Sequence, residues 1–126
     1  MDKKVITTDK APAAIGPYSQ AIAIQNLLFI SGQLPIDPAT GQMLTGNIAE
    51  KTDKILHNAA HIAQEAGLTL SNVVKTTIFL TDLADFAEMN GAYEQHFPAS
   101  PPARSTVQVA ALPLGSNIEI EFILAR

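Results

Sequence analysis

The chain contains no cysteine and no tryptophan. Without cysteine there is no disulfide, no thiolate metal ligand and no thiol nucleophile, and a reducing compartment, the cytoplasm, is the expected setting. Basic residues are few and scattered. Eight Lys and Arg stand against twelve Asp and Glu, a formal charge of −4 at pH 7. Phosphate binding needs clustered cations, so neither nucleic acid nor an anionic membrane is an expected partner. No apolar run approaches the ~20 residues of a membrane span. The lysines near the start, Lys3 and Lys4, are not followed by an apolar stretch, so no signal peptide is expected. Also missing are a glycine-rich phosphate loop, a strand–turn–helix serine elbow and an acidic metal loop. No histidine is placed to serve a serine.

What is present is apolar. Of 126 residues, 47% are hydrophobic and 16% charged. That length predicts one domain, residues 1–126, with a real core. A monomer of this size hides so much apolar surface poorly, which points to an oligomer.

Periodicity places the elements. Lys4 to Thr8 reads as a short strand. Residues 11–17, with two prolines and a glycine, read as an ordered loop. Tyr18 to Gln25 and Leu27 to Leu34 alternate as a hairpin turning at Asn26. Gly32 inside the second strand marks either a bulge or a close approach of backbone to a ligand. Asp37 to Gly41 is a turn by its residue chemistry. Asn47 and Glu50 form a capping box for a helix over 48–66, ended by Gly67. Val73 to Thr81 is a β-branched strand. A second helix follows over about 83–96, its stripe being Phe86, Met89, Asn90, Tyr93 and Phe97. The order β, β, β, α, β, α, β, β predicts an α+β fold: a mixed sheet of about six strands with both helices on one face. Apolar residues such as Phe29, Phe79 and Ile123 then need cover on the other face, and copies of the chain are the simplest cover.

Two late strands carry the charges that suggest chemistry. In residues 102–109, Arg104, Thr106 and Gln108 alternate with Ser105, Val107 and Val109. In residues 118–124, Glu119 and Glu121 alternate with Ile118, Ile120, Phe122 and Leu124. A guanidinium is a planar fork for a carboxylate, and a glutamate can move a proton or hold a water. The alternative is a sheet face laced with ion pairs. Asn90, on an apolar stripe, serves either a helix-to-sheet hydrogen bond or a site. His57 and His61, four apart, lack further ligands and lie off the apolar stripe, so no metal is expected. Arginine, carboxylate and Tyr18 together suit binding a small carboxylic acid and adding or removing water.

Residues 11–20 (APAAIGPYSQ), 31–33 (SGQ), 74–83 (VKTTIFLTDL), 102–107 (PARSTV) and 118–121 (IEIE) resemble the Rid family of reactive-intermediate deaminases, the RidA/YjgF group. The resemblance runs in order through essentially the whole chain. It implies a chorismate-mutase-like fold and a homotrimer with a central β-barrel, helices outside and sites between subunits. It implies hydrolysis of 2-iminobutanoate and 2-iminopropanoate to 2-oxo acids and ammonia, without a cofactor. Arg104 is then the carboxylate anchor and Glu119 the group that handles the attacking water. Ser31, Gly32 and Thr106 line the pocket, with Tyr18 and Asn90 nearby. Many members carry cysteine where this chain has Thr106, which excludes a thiol role here. A non-catalytic trimer that binds 2-oxo acids is the alternative. RNA cleavage, attributed to some relatives, fits the acidic charge poorly.

Overall fold

The computed structural model describes residues 2–126. Helix α1 (Ile48–Glu65) forms where the capping box predicts it. The Asn47 side chain accepts from the Glu50 amide at 2.8 Å, and Glu50 accepts in return from the Asn47 amide at 3.1 Å. These bonds satisfy amides that have no partner within the helix. Ala66 is the C-cap, and Gly67 follows at φ 78°, a left-handed conformation that glycine adopts without strain. Ile55, Leu56, Ala59, Ile62 and Ala63 are fully buried along one stripe.

The main sheet holds strands β1 (Lys4–Ile6), β2 (Ala21–Ile24) and β3 (Leu27–Gln33) from the first half of the chain. Between β3 and α1 lies a small hairpin of β4 (Ile36–Asp37) and β5 (Gln42–Met43), closed by the expected turn at Asp37–Gly41 but not itself anticipated. The second half adds β6 (Val73–Leu80), β7 (Ala103–Gln108) and β8 (Ile118–Ala125). Their order in the six-stranded sheet is β1-β2-β3-β8-β6-β7. Every neighbouring pair is antiparallel except β6 and β7, which are parallel. Helix α2 (Phe86–Glu94) makes that parallel crossover. Helix α1 links β3 to β6, also mutually parallel because both run antiparallel to β8, which is inserted between them.

Three elements are shorter than their periodicity predicts. The strand expected from Tyr18 begins at Ala21, because Gly16 to Gln20 belong to a loop that Gln20 ties down. The first strand ends at Ile6. The second helix splits: a 3₁₀ turn over Leu83–Asp85, capped by Asp82, precedes an α2 that ends at Glu94.

One face of the sheet is finished. Leu28, Ile30, Ile78, Leu80, Ile118, Ile120, Phe122 and Leu124 are buried in one cluster with α1, Met89 and Tyr93. Both helices cover this face, as expected. The opposite face carries Glu119, Glu121, Phe79, Ile123 and Phe29, and Phe29 is 42% exposed.

Candidate active site

The site residues fall into two groups. The first is built on β3, β8 and the loop before β2. The register of β3 against β8 shifts between Ile30 and Gln33, so a bulge is present at Gly32. Here the backbone is also closely approached: a Cβ on Gly32 would overlap the Glu119 carboxylate, with Cδ at 2.8 Å. The bulge is therefore present, and the group packed against the Gly32 backbone is a side chain of the same chain. Glycine bends the strand and leaves the space that Glu119 occupies.

Glu119 opens on a cleft of about 640 Å³, lined also by Tyr18, Ser31, Gln33, Ile15 and Leu114. Partial burial raises the pKa of Glu119 above the ordinary glutamate value, and the like charge of Glu121 raises it further. Ser31 is oriented by donation from its Oγ to the Ser19 carbonyl at 2.6 Å, and its amide donates to the Gln20 carbonyl at 3.0 Å. The Tyr18 hydroxyl accepts from the Ile15 amide at 3.3 Å while the ring stays 52% exposed.

Gln20 holds this loop, and its role was not foreseen. Its Oε1 accepts from the Thr8 amide at 2.7 Å. Its Nε2 donates to the carbonyls of Thr8, Ala11 and Pro12 at 3.0, 3.3 and 2.8 Å. A 3% exposed glutamine that saturates loop backbone replaces a strand ladder as the source of order. Its position beside Tyr18 and Ser19 in an alternating stretch was a signal only for a strand.

The second group is built on β7 and α2. Arg104 Nη1 donates to Asn90 Oδ1 at 2.6 Å. Its Cζ lies 5.4 Å from the centroid of Phe86 and 5.1 Å from that of Tyr93. Phe86, Asn90 and Tyr93 share one face of α2 at i, i+4 and i+7 spacing. The Tyr93 hydroxyl shares a 2.7 Å hydrogen bond with Thr76, the residue opposite Arg104 in the β6–β7 ladder. Burial raises the Tyr93 pKa, a shift opposed by that bond and by the Arg104 charge. Thr106, two residues on, faces the same side as Ile78; its Oγ1 is buried and without a hydrogen-bond partner among the described residues.

Alternation put Arg104 and Glu119 on polar faces of their own strands and left open how those faces correspond; the register sets them on opposite sides of the sheet. Arg104 is level with Thr76 and Phe122, on the helix side. Glu119 is level with Phe79 and Val107, on the open side. Strand β6 also stands between them, so their strands are separated by about 10 Å. Alternation gives the faces within one strand. It does not say how the faces of two strands correspond until their pairing is known. The face laced with ion pairs is absent too. Among the described residues the one contact of this kind is the 2.8 Å hydrogen bond between His96 Nε2 and Asp53 Oδ1, joining α1 to the segment after α2, which is an ion pair only with His96 protonated. His57 and His61 are exposed, and no cluster of three or more metal-ligating side chains occurs among the described residues. No helix is long and apolar enough to cross a membrane.

The profile of the family described as Endoribonuclease L-PSP matches residues 8–126. Reactive Intermediate Deaminase A, chloroplastic, of Arabidopsis thaliana is 53% identical over 121 residues; the match covers 96% of this chain but just under two thirds, 65%, of that protein. The 2-iminobutanoate/2-iminopropanoate deaminase of Bos taurus is 50% identical, the match covering 98% of this chain and 90% of that one. Among solved structures, RidA from an Antarctic Psychrobacter superposes with a TM-score of 0.94 at 45% identity, covering 98% and 99% of the two chains. On a family match across nearly all its length and a shared fold, the chain belongs to the Endoribonuclease L-PSP family, the group of the RidA and YjgF proteins.

Proposed function

We propose that the chain is one domain that hydrolyses 2-imino acids, 2-iminobutanoate and 2-iminopropanoate among them, to 2-oxo acids and ammonia. Relatives of about 50% identity carry that activity in their names. The observation that carries the reading is the Glu119 carboxylate, packed over Gly32 at the head of a cleft and shifted towards protonation by burial. A base whose pKa is raised towards neutrality is better matched to taking a proton from water.

In the reaction Glu119 takes a proton from a water as its oxygen bonds to the C=N carbon of the iminium. That π pair moves to nitrogen, giving a carbinolamine. The proton held by Glu119 passes to the amine, the C–N bond breaks with ammonia leaving, and loss of the hydroxyl proton gives the 2-oxo acid. A protonated iminium is already a strong electrophile, so neither nucleophilic side chain nor cofactor is required. Positioning is the larger task, and a guanidinium fork that grips the carboxylate fixes the carbon under attack.

Arg104 and Glu119 cannot serve one ligand from one chain, because they lie on opposite faces. The reading therefore places the site between copies, Glu119, Gly32, Ser31 and Tyr18 from one and Arg104 with Thr106 from the next. A homotrimer whose sheets form a barrel meets this need and covers Phe29 and Ile123. Its setting is cytoplasmic. Nucleic acid is not a partner in this reading despite the family's description, because a charge of −4 with no basic cluster repels phosphate.

The test generates 2-iminobutanoate in situ with a threonine dehydratase and follows its loss. Wild type should exceed the spontaneous rate, and Arg104→Ala and Glu119→Gln should not. A second reading, a 2-oxo acid-binding trimer without turnover, is favoured by Arg104, a cation with no carboxylate partner among the described residues. Saturable binding of 2-oxobutanoate without rate enhancement, unaffected by Glu119→Gln, would establish it.

A further inference from the structure

Arg104 is a partly buried cation whose hydrogen-bond and ring contacts among the described residues are all with neutral groups. Its Nη1 gives a proton to a carboxamide, Asn90 Oδ1, at 2.6 Å. Two rings stand near the guanidinium, Phe86 at 5.4 Å and Tyr93 at 5.1 Å from centroid to Cζ. No carboxylate pairs with it among the described residues, although Glu88 and Glu94 lie on the same short helix. Those acids belong to other faces of α2: Glu88 accepts from the Ala49 amide at the start of α1, at 3.3 Å, and Glu94 is exposed. A purely structural arginine placed there would gain most from an acid at position 90, since a charge-assisted bond is roughly twice as strong as one to a neutral acceptor. The chain has an amide instead.

The holder is itself held. Thr76 is fully buried and bonds the Tyr93 hydroxyl at 2.7 Å, so the ring is fixed in place. Thr76 is also the ladder partner of Arg104, so one register sets both the base of the arginine and the position of one ring. The i, i+4, i+7 spacing of Phe86, Asn90 and Tyr93 puts ring, amide and ring in one row along α2.

We infer that Phe86, Asn90 and Tyr93 form a neutral holder for Arg104. It fixes the guanidinium without neutralising it and leaves the remaining N–H edge for the carboxylate of a 2-oxo or 2-imino acid. The three are positioning residues that act through Arg104. Asn90 is the element that discriminates, because an aspartate of the same shape would occupy the cation internally and compete with the ligand. Rings orient a guanidinium through their negative faces while giving no proton acceptor that could replace a carboxylate. The inference rests on the reading of Arg104 as the carboxylate anchor.

The experiment measures 2-oxobutanoate binding by calorimetry and imine turnover side by side, in the full-length assembled protein. Asn90→Asp should weaken 2-oxobutanoate binding by about 30-fold or more, as a lost charge-assisted pair does. Phe86→Leu should raise KM by about 2- to 5-fold with kcat unchanged, the share of one partly exposed cation–π contact. Tyr93→Leu should raise KM similarly, and Tyr93→Phe, which keeps the ring, should restore it. Phe86 is 37% exposed, so it carries the test if the buried Tyr93→Leu does not fold. Asn90→Asp binding like wild type overturns the holder, as does Phe86→Leu lowering kcat with KM unmoved. Wild type that binds 2-oxobutanoate without turnover, while Asn90→Asp loses binding, sinks the hydrolase and leaves the holder standing. Turnover with Asn90→Asp binding intact does the reverse. No binding by wild type at all removes anchor and holder together.

Discussion

The two groups of candidate site residues are built by opposite means. Around Glu119 the order comes from backbone: a bulged glycine, a serine bonded to a carbonyl, and a loop pinned by Gln20. Around Arg104 it comes from side chains on one helix face. The electrostatics are opposite as well. Burial and a like-charged neighbour push Glu119 towards its neutral form. The groups seen against Arg104 among the described residues, an amide and two rings, are neutral. A carboxylate made reluctant to ionise is a base in waiting, and a cation left unpaired is a vacancy for an anion. Their placement on opposite faces requires that, in the proposed reaction, they come from different copies.

The largest effects are expected when the two functions are separated onto different chains. Arg104→Ala and Glu119→Gln should each lower imine turnover by about 10²-fold or more. Unfolding the two variants together and refolding them should return about a quarter of the wild-type rate, since random assembly joins both intact groups at about one site in four. No recovery above either variant alone would place the two groups in a site of one chain.

Next in size is Gly32→Ala. The new Cβ would overlap Glu119, so the carboxylate must move. Turnover should fall by about 100-fold, the effect of misplacing a reacting group by roughly 1 Å. Binding of 2-oxobutanoate through Arg104 should weaken far less. Equal loss of both would show that Gly32 supports the whole site, not its base alone.

A smaller effect is expected in pH profiles. Glu119 must be ionised to act as a base, so the acid limb of kcat/KM should lie above the usual glutamate range. Glu121→Gln removes the second cause of the shift and should move that limb to lower pH, though not to the ordinary value, because burial is the larger cause. The stability sign follows from the same shift. Folding favours protonated Glu119, a contribution present in full below the unfolded-state pKa and lost as pH rises through the raised folded-state pKa. Glu119→Gln should flatten that part of the stability curve. An acid limb unmoved in Glu121→Gln would remove Glu121 from the account. The smallest effect belongs to His61→Ala, which should alter denaturant stability by no more than about 0.5 kcal/mol, as befits an exposed side chain.

Much of this was legible before the fold. The capping box at Asn47 and Glu50 and the stripe from Ile55 to Ala63 located α1, because caps and 3.6-residue spacing are local signals. The apolar row of β8 was equally plain. Gly32 stood out because a strand interior has little use for glycine. Gln20 did not, since a polar residue in an alternating run looks like any solvent-facing position. Phe86 and Tyr93 read as core stripe, and only the neighbouring strand shows that a cation lies beside their rings. The β4–β5 hairpin escaped because two-residue strands carry no period.

The sequence alone determined that Arg104 alternates with Val107, that Glu119 alternates with Ile120, and that the chain has an apolar excess and no thiol chemistry. That arginine and glutamate face opposite ways came from the fold. That outcome depends on which residue of β7 pairs with which of β6, and of β6 with β8. Ladder register is a long-range choice, settled by packing whole apolar rows against the helices, and a shift of one residue would reverse every face.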